Sequence, residues 1–333
     1  MGEHTSWIPN ISSLCTTLQA LVAYSIVLSD TIPPLSKAFG IPCLSRTQSL
    51  LSLSAFVLLP LCMMKTLKSL APFSLVGIGG IVYTTAVMII RYFDGSYAPG
   101  GKFWSDILAS SNQPRFGSSL ALLSPAIFVL ASRMSSCYMS HYQAPKLYEE
   151  LRNNTVQRFQ KMVGVSYGIV FFIYSTIAAT GFLTFGEGSC NFVLNNYSSS
   201  DPLISGSRAA LFVSLVFGYP LTFVGLRDNI LDLLQLKKDQ KSDGRVLSTC
   251  TIALMGIITT CAYFLKDIST LLSLGGATYA NWLTFVYPTL MILSLHEKMP
   301  SLKKEIPAVL LTLIVGIGMS VYGTKQFIAD TFF

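Results

Sequence analysis

The residues best suited to chemistry gather in one stretch, Phe128 to Leu151, which reads FVLASRMSSCYMSHYQAPKLYEEL. It begins as an apolar run, carries Arg133 in mid-run among Ser132, Ser135 and Ser136, and ends polar. A cation inside a membrane-spanning run costs about 2.5–3.5 kcal/mol on insertion scales, so it must face a partner or a watery cavity. Arg133 therefore has two readings: a binding or gating group in a substrate path, suited to a carboxylate, or an arginine paired with Asp30 or helix-end carbonyls that fixes a bundle. The serines beside it also read two ways. They are small residues that let helices approach, or polar groups of a locally unwound helix facing a cavity. Tyr24, in the run Leu21 to Asp30, offers either a hydroxyl to a central cavity or a ring to the core.

Catalysis finds no support. Glu149 and Glu150 are adjacent carboxylates of the kind that do acid–base work, yet no nucleophile, HExxH or phosphate-loop motif accompanies them. They read as the solvated side of an interfacial helix over Ala144 to Arg152, with Leu147 and Leu151 on its apolar side. The cysteines at 15, 43, 62, 137, 190, 250 and 261 include no CxxC pair, and only His4, His141 and His296 could join them, so no metal site is expected. Two glycine patterns bear on helix contacts: Gly164 to Gly168 is a small-xxx-small pattern, and Leu274-Gly-Gly-Ala-Thr-Tyr-Ala-Asn-Trp282 must approach a neighbour closely or bend. Asn281 is the one amide of that run.

The elements that position these residues follow from composition. Charged residues make up 12% of the 333-residue chain against 51% hydrophobic ones, and the mean hydropathy is +0.55. A soluble chain carries about a quarter charged residues, so the solvent expected here is a lipid bilayer. The net charge of +7 sits in short loops between apolar runs and forms no basic stripe with interleaved aromatics, which argues against nucleic acid. Runs of spanning length predict an all-α integral membrane protein of about nine helices in one domain: 12–33, 47–66, 71–91, 119–140, 158–182, 207–226, 247–265, 269–294 and 306–326. The intervening IPPLSKAFGIPCLSR, 92–118 and 183–206 have loop composition. Lys and Arg are more numerous on the side holding Lys65, Lys146 to Lys161, Arg227 to Arg245 and Lys298 to Lys304, which predicts a cytoplasmic N-terminus. That orientation puts the sequon Asn196-Tyr197-Ser198 on the other side, where it is usable, together with Cys43 and Cys190, which either pair or are two small apolar residues.

At the motif level the chain resembles the amino acid/auxin permease family, which includes the sodium-coupled neutral amino acid transporters. Ser140-His-Tyr-Gln-Ala-Pro-Lys-Leu-Tyr-Glu-Glu-Leu151 is similar to the HxNxPxxYxEL-type segment after that family's sixth helix. Tyr24 to Thr31, Leu59 to Leu70, Gly181 to Glu187, Tyr219 to Asp228 and Leu274 to Asn281 resemble, in order, its third helix, fourth-to-fifth junction, seventh, eighth and tenth helices. The resemblance implies two inverted five-helix repeats plus one further helix, a LeuT-like bundle with substrate between the first, third, sixth and eighth helices. It also implies secondary active transport of amino acids, small neutral ones or others, coupled to sodium or protons, in a plasma or vacuolar/lysosomal membrane. On this numbering the first span matches the family's third helix, so the expectation is a partial repeat lacking the first two helices. The substrate-binding candidates are Tyr24, Ser132, Arg133, Ser136, Ser214 and Gly218. Ser214 and Thr222 are the hydroxyls nearest the sodium-coordinating position of some members, and Gly218 sits close to it, which leaves sodium coupling without a clear ligand. A membrane sensor that binds an amino acid without moving it is the alternative reading.

Overall fold

The computed structural model describes residues 7–40, 42, 44–64, 71–108, 126–140, 144–234, 243–265, 267–295, 304 and 306–332. Among them there is no β-strand. The helices are α1 (Trp7–Ala38), α2 (Arg46–Cys62), α3 (Ala71–Phe93), α4 (Trp104–Leu108), α5 (Ala126–Cys137), α6 (Ala144–Glu150), α7 (Val156–Phe185), α8 (Pro202–Leu233) and α9 (Gly244–Phe264). There follow α10 (Ile268–Gly275), two π-helical turns at Gly276–Ala280 and Trp282–Val286, α11 (Tyr287–Leu295) and α12 (Ile306–Phe332).

Their starts are readable in side-chain chemistry. Thr155, Asp201, Asp243 and Asp267 each accept a backbone N–H from the first turn of the following helix, and Ser45 with Gln48 forms a complete capping box ahead of α2. Inside the apolar helices, hydroxyls bond back to the preceding turn, as Thr16 to Ser12 O at 2.8 Å and Ser25 to Leu21 O at 3.0 Å do. Without water at hand, this is how such groups are satisfied.

Six described helices are long and apolar enough to cross a membrane: Asn10–Ala38, Leu75–Phe93, Val156–Phe185, Pro202–Leu233, Gly244–Phe264 and Ile306–Ala329. The other three expected spans have distinct fates. Residues 47–66 fall on α2, a shorter helix with a π turn at Ser54–Leu58 just ahead of Pro60, whose ring has no N–H to give and clashes with the carbonyl four residues back. The described part of 119–140 is the short α5, with 119–125 outside the described residues. Residues 269–294 are interrupted by the two π turns, and Thr278 there has φ −102° and ψ −109°, outside the helical region. The expected loop IPPLSKAFG is helical as far as Ala38, with Pro33 and Pro34 inside the last turns of α1.

Two cores organise the chain. In the first, Leu21, Ile26 and Leu28 of α1 pack with Tyr219, Phe223 and Leu226 of α8 and Ile258 and Ala262 of α9. In the second, Tyr97 and Phe103 after α3 pack with Phe185 at the end of α7, Tyr197 of the following loop and Ile204 at the start of α8. The second core is clamped by charge. Arg91 donates through Nε (2.8 Å) and Nη2 (2.6 Å) to the two oxygens of Asp201, which is fully buried and also accepts from Tyr97 Oη at 3.0 Å. Arg208, 2% exposed, donates to the carbonyls of Leu194 and Tyr197 at 2.8 Å and of Ser198 at 3.3 Å. These are charge-assisted bonds in a dry setting, the strong kind.

The clamp also corrects the expectation for the sequon. Asn196 is 5% exposed; its Oδ1 accepts from Cys190 N at 2.7 Å and its Nδ2 donates to Gly188 O at 2.8 Å. Both ends of the amide hold the loop together, and in this folded form the nitrogen is too buried to carry a glycan. Cys190 is a free thiol whose pKa burial raises, and Cys43 lies outside the described residues.

Candidate functional site

The site forms where α5 meets the interrupted stretch that begins with α10. Ser273, one turn from the end of α10, donates its hydroxyl proton to Ser269 O at 2.8 Å. Its oxygen is then left to accept, and Arg133 Nε donates to it at 2.7 Å. Arg133 is half-buried, and among the described residues its Nη1 and Nη2 make no hydrogen bond and no carboxylate lies within ion-pair distance. The expected pairing with Asp30 does not form. Asp30 pairs with Arg46, close by across the end of α1 and the start of α2.

Close backbone approach explains why this contact needs glycine. A Cβ on Gly276 would stand 2.2 Å from Ser132 O and 3.1 Å from Arg133 N, and one on Gly275 would meet Gln19 Oε1 at 2.0 Å. The small residues of Leu274 to Trp282 thus do both things expected of them, approaching neighbours and bending. Gln19 of α1, 6% exposed, spans the interruption: its Nε2 donates to Leu271 O at 2.9 Å and its Oε1 accepts from Tyr279 Oη at 2.6 Å. Further along, Ser12 and Tyr287 share a hydrogen bond of 2.9 Å. Gly164 and Gly168 behave otherwise: a Cβ on either meets nothing within 4 Å, so the small-xxx-small pattern of α7 marks no helix contact among the described residues.

The six candidates divide accordingly. Ser132 is 1% exposed and its hydroxyl donates to Phe128 O (2.9 Å) and Met319 O (3.4 Å), holding α5 to α12. Ser135 donates back to Ala131 O at 3.0 Å. Ser136, one turn beyond Arg133, has a buried Oγ with no hydrogen-bond partner among the described residues. Tyr24 is half-buried, with its ring 6.4 Å from that of Tyr219 in the α1–α8 contact. Ser214 faces α3, where a Cβ on Gly77 would be 2.7 Å from its Oγ, and a Cβ on Gly218 would meet nothing within 4 Å among the described residues. Sequence reasoning passed over Ser273 and Gln19, although an amide inside an apolar span is the signal that singled out Asn281. Asn281 is fully buried, and neither Oδ1 nor Nδ2 has a partner among the described residues.

Elsewhere a cavity of ≈ 340 Å³ opens between the end of α1, the loop after α7 and the start of α10, with Asp30, Ser189, Asn191, Asn195 and Asp267 in its lining. Burial works to raise the pKa of Asp267, but hydrogen bonds from the Thr270 hydroxyl, the backbone of Ser269 and Thr270 and the Asn191 amide outweigh it and hold the carboxyl below its ordinary value.

A sequence model of the family described as transmembrane amino acid transporter protein matches residues 1–329. The chain is 24% identical to the amino acid transporter AVT6E of Arabidopsis thaliana, over 94% of this chain and 66% of that protein. It is 24% identical to vacuolar amino acid transporter 2 of Saccharomyces cerevisiae, over 93% and 65%. The same identity holds for sodium-coupled neutral amino acid transporter 7 of Mus musculus, over 92% and 66%. The chain spans about two thirds of the length of the curated relatives it matches.

Proposed function

The chain belongs to the transmembrane amino acid transporter family, and from that membership we propose that it carries amino acids across a membrane by secondary active transport coupled to sodium or protons. It is a multi-pass membrane protein and not an enzyme. The observation that carries the reading is Arg133 on α5, tied to Ser273 just ahead of the non-helical Thr278. A helix interrupted within the membrane frees backbone groups to face a substrate, and two elements joined at such a point are suited to moving together.

Of the six candidate residues, Arg133, Ser136 and Tyr24 are assigned to the substrate path, while Ser132 and Ser214 serve helix contacts and Gly218 leaves room beside α8. The proposed arrangement is a LeuT-like inverted repeat with the start of α1 on the cytoplasmic side, supported by the ordered motifs and the Lys and Arg distribution. Residence in a vacuolar or lysosomal membrane is proposed from the yeast relative's name. The test is uptake of a labelled amino-acid panel into proteoliposomes holding the full chain, under imposed sodium or proton gradients. Uptake driven by one gradient and abolished on collapsing it is expected; binding without uptake under either gradient replaces the transporter with a sensor.

A further inference from the structure

We infer that Arg133 is a receptor for a side-chain carboxylate and gives the chain a preference for dicarboxylic amino acids, of the aspartate and glutamate class, over neutral ones. This rests on Arg133 lining the proposed substrate path.

Charge balance sets this preference. Ser273 holds Nε, with its own proton committed to Ser269 O, so the guanidinium is fixed at one edge while Nη1 and Nη2 stay open among the described residues. Those two nitrogens form the planar fork that matches a carboxylate bidentately. Among the described residues no carboxylate lies within ion-pair distance of the guanidinium, and Asp30, the partner expected from sequence, is engaged by Arg46. Ser136, on the same helix one turn away, adds a buried hydroxyl without a partner among the described residues.

A neutral amino acid is a zwitterion, so seating it beside the half-buried Arg133 leaves one uncompensated positive charge. A dicarboxylic amino acid carries a net negative charge and leaves the pair neutral, which is the less costly outcome where solvent does not screen. An α-carboxylate offers Arg133 the same chemistry as a side-chain carboxylate, and the difference between the two is what the test separates.

The test is equilibrium binding of labelled L-glutamate to the purified full chain in detergent, with competition by L-glutamine and by glutarate. Binding is read separately from flux, so failure to transport does not decide it. Expected are competition by glutamine at least about tenfold weaker than by unlabelled glutamate, equivalent to about 1.4 kcal/mol, and closure of that gap in Arg133→Gln through loss of glutamate affinity with glutamine affinity kept. Arg133→Lys keeps the charge without the fork and should fall between. Glutarate should compete in the wild type and not in Arg133→Gln. Equal competition by glutamine and glutamate in the wild type overturns the inference without reference to any variant. So does an equal loss of both ligands in Arg133→Gln, which assigns the arginine to the α-carboxylate.

Discussion

Replacing Gly276 by alanine tests the contact that positions Arg133. In an ordinary helix interior, Gly→Ala stabilises by about 0.5–1 kcal/mol, because glycine loses more backbone freedom on folding. At Gly276 the added Cβ would lie 2.2 Å from Ser132 O and 2.6 Å from Ser132 C, both backbone atoms of a packed helix. Favourable carbon contacts lie at about 3.5–4.0 Å, so α5 and the interrupted stretch must separate by roughly 1 Å or more. Overpacking of that kind costs about 1–3 kcal/mol, which exceeds the entropic gain and reverses its sign. The assay is thermal unfolding of the purified chain in detergent beside Gly168→Ala, whose Cβ meets nothing within 4 Å. Gly168→Ala is expected at or above the wild-type midpoint and Gly276→Ala several degrees below it. A Gly276→Ala protein as stable as the wild type would refute the close packing of α5 on Gly276 and, with it, the placement of Arg133.

Other consequences are open to measurement. Asp201→Asn breaks a buried pair with Arg91 and should cost about 3–5 kcal/mol, read as a lowered unfolding midpoint; a change below about 1 kcal/mol would mean the clamp is hydrated. Because Asn196 is 5% exposed, with its amide bridging Cys190 N and Gly188 O, deglycosidase treatment of the folded protein from a eukaryotic host should leave its mobility unchanged at that sequon; a shift abolished by Asn196→Gln would contradict the loop structure. Asn281→Leu removes a buried amide whose two ends have no partner among the described residues, and relief of about 1–3 kcal/mol of desolvation should raise the midpoint; a lower midpoint would reveal a partner for the amide. Asp267 has a folded-state pKa below its unfolded one, so its contribution is complete above about pH 3.9 and is lost as pH falls through the depressed folded value. Asp267→Asn should flatten the acid limb of the stability profile, and an unchanged limb would remove Asp267 as its source.

The sequence made some of this plain and hid the rest for physical reasons. Apolar length located the helices, because in lipid a spanning backbone must satisfy itself within its own segment. Hydropathy registers composition and not continuity, so it gave no sign that Pro60 disturbs α2 or that the small residues before Asn281 let the chain leave helical geometry at Thr278. Arg133 was visible as a misfit in an apolar run. Its partner was not, because Ser273 lies 140 residues away and looks like many other serines. The Asp30 pairing failed for a local reason, since Arg46 reaches that carboxylate over a short connection. Asn196 shows the same limit from the other side. A sequon is read from three residues, but its use depends on an amide that the fold has already engaged.

The central claim, that this chain moves amino acids, is tested most directly by counterflow. Proteoliposomes holding the full chain are loaded with an unlabelled amino-acid mixture that includes glutamate and diluted into a trace of the same amino acids in labelled form. The account predicts transient accumulation of label above its equilibrium level, strongest for glutamate, with only that glutamate excess lost in Arg133→Gln; label that enters no faster than into protein-free vesicles, from a chain shown to be folded, would contradict it.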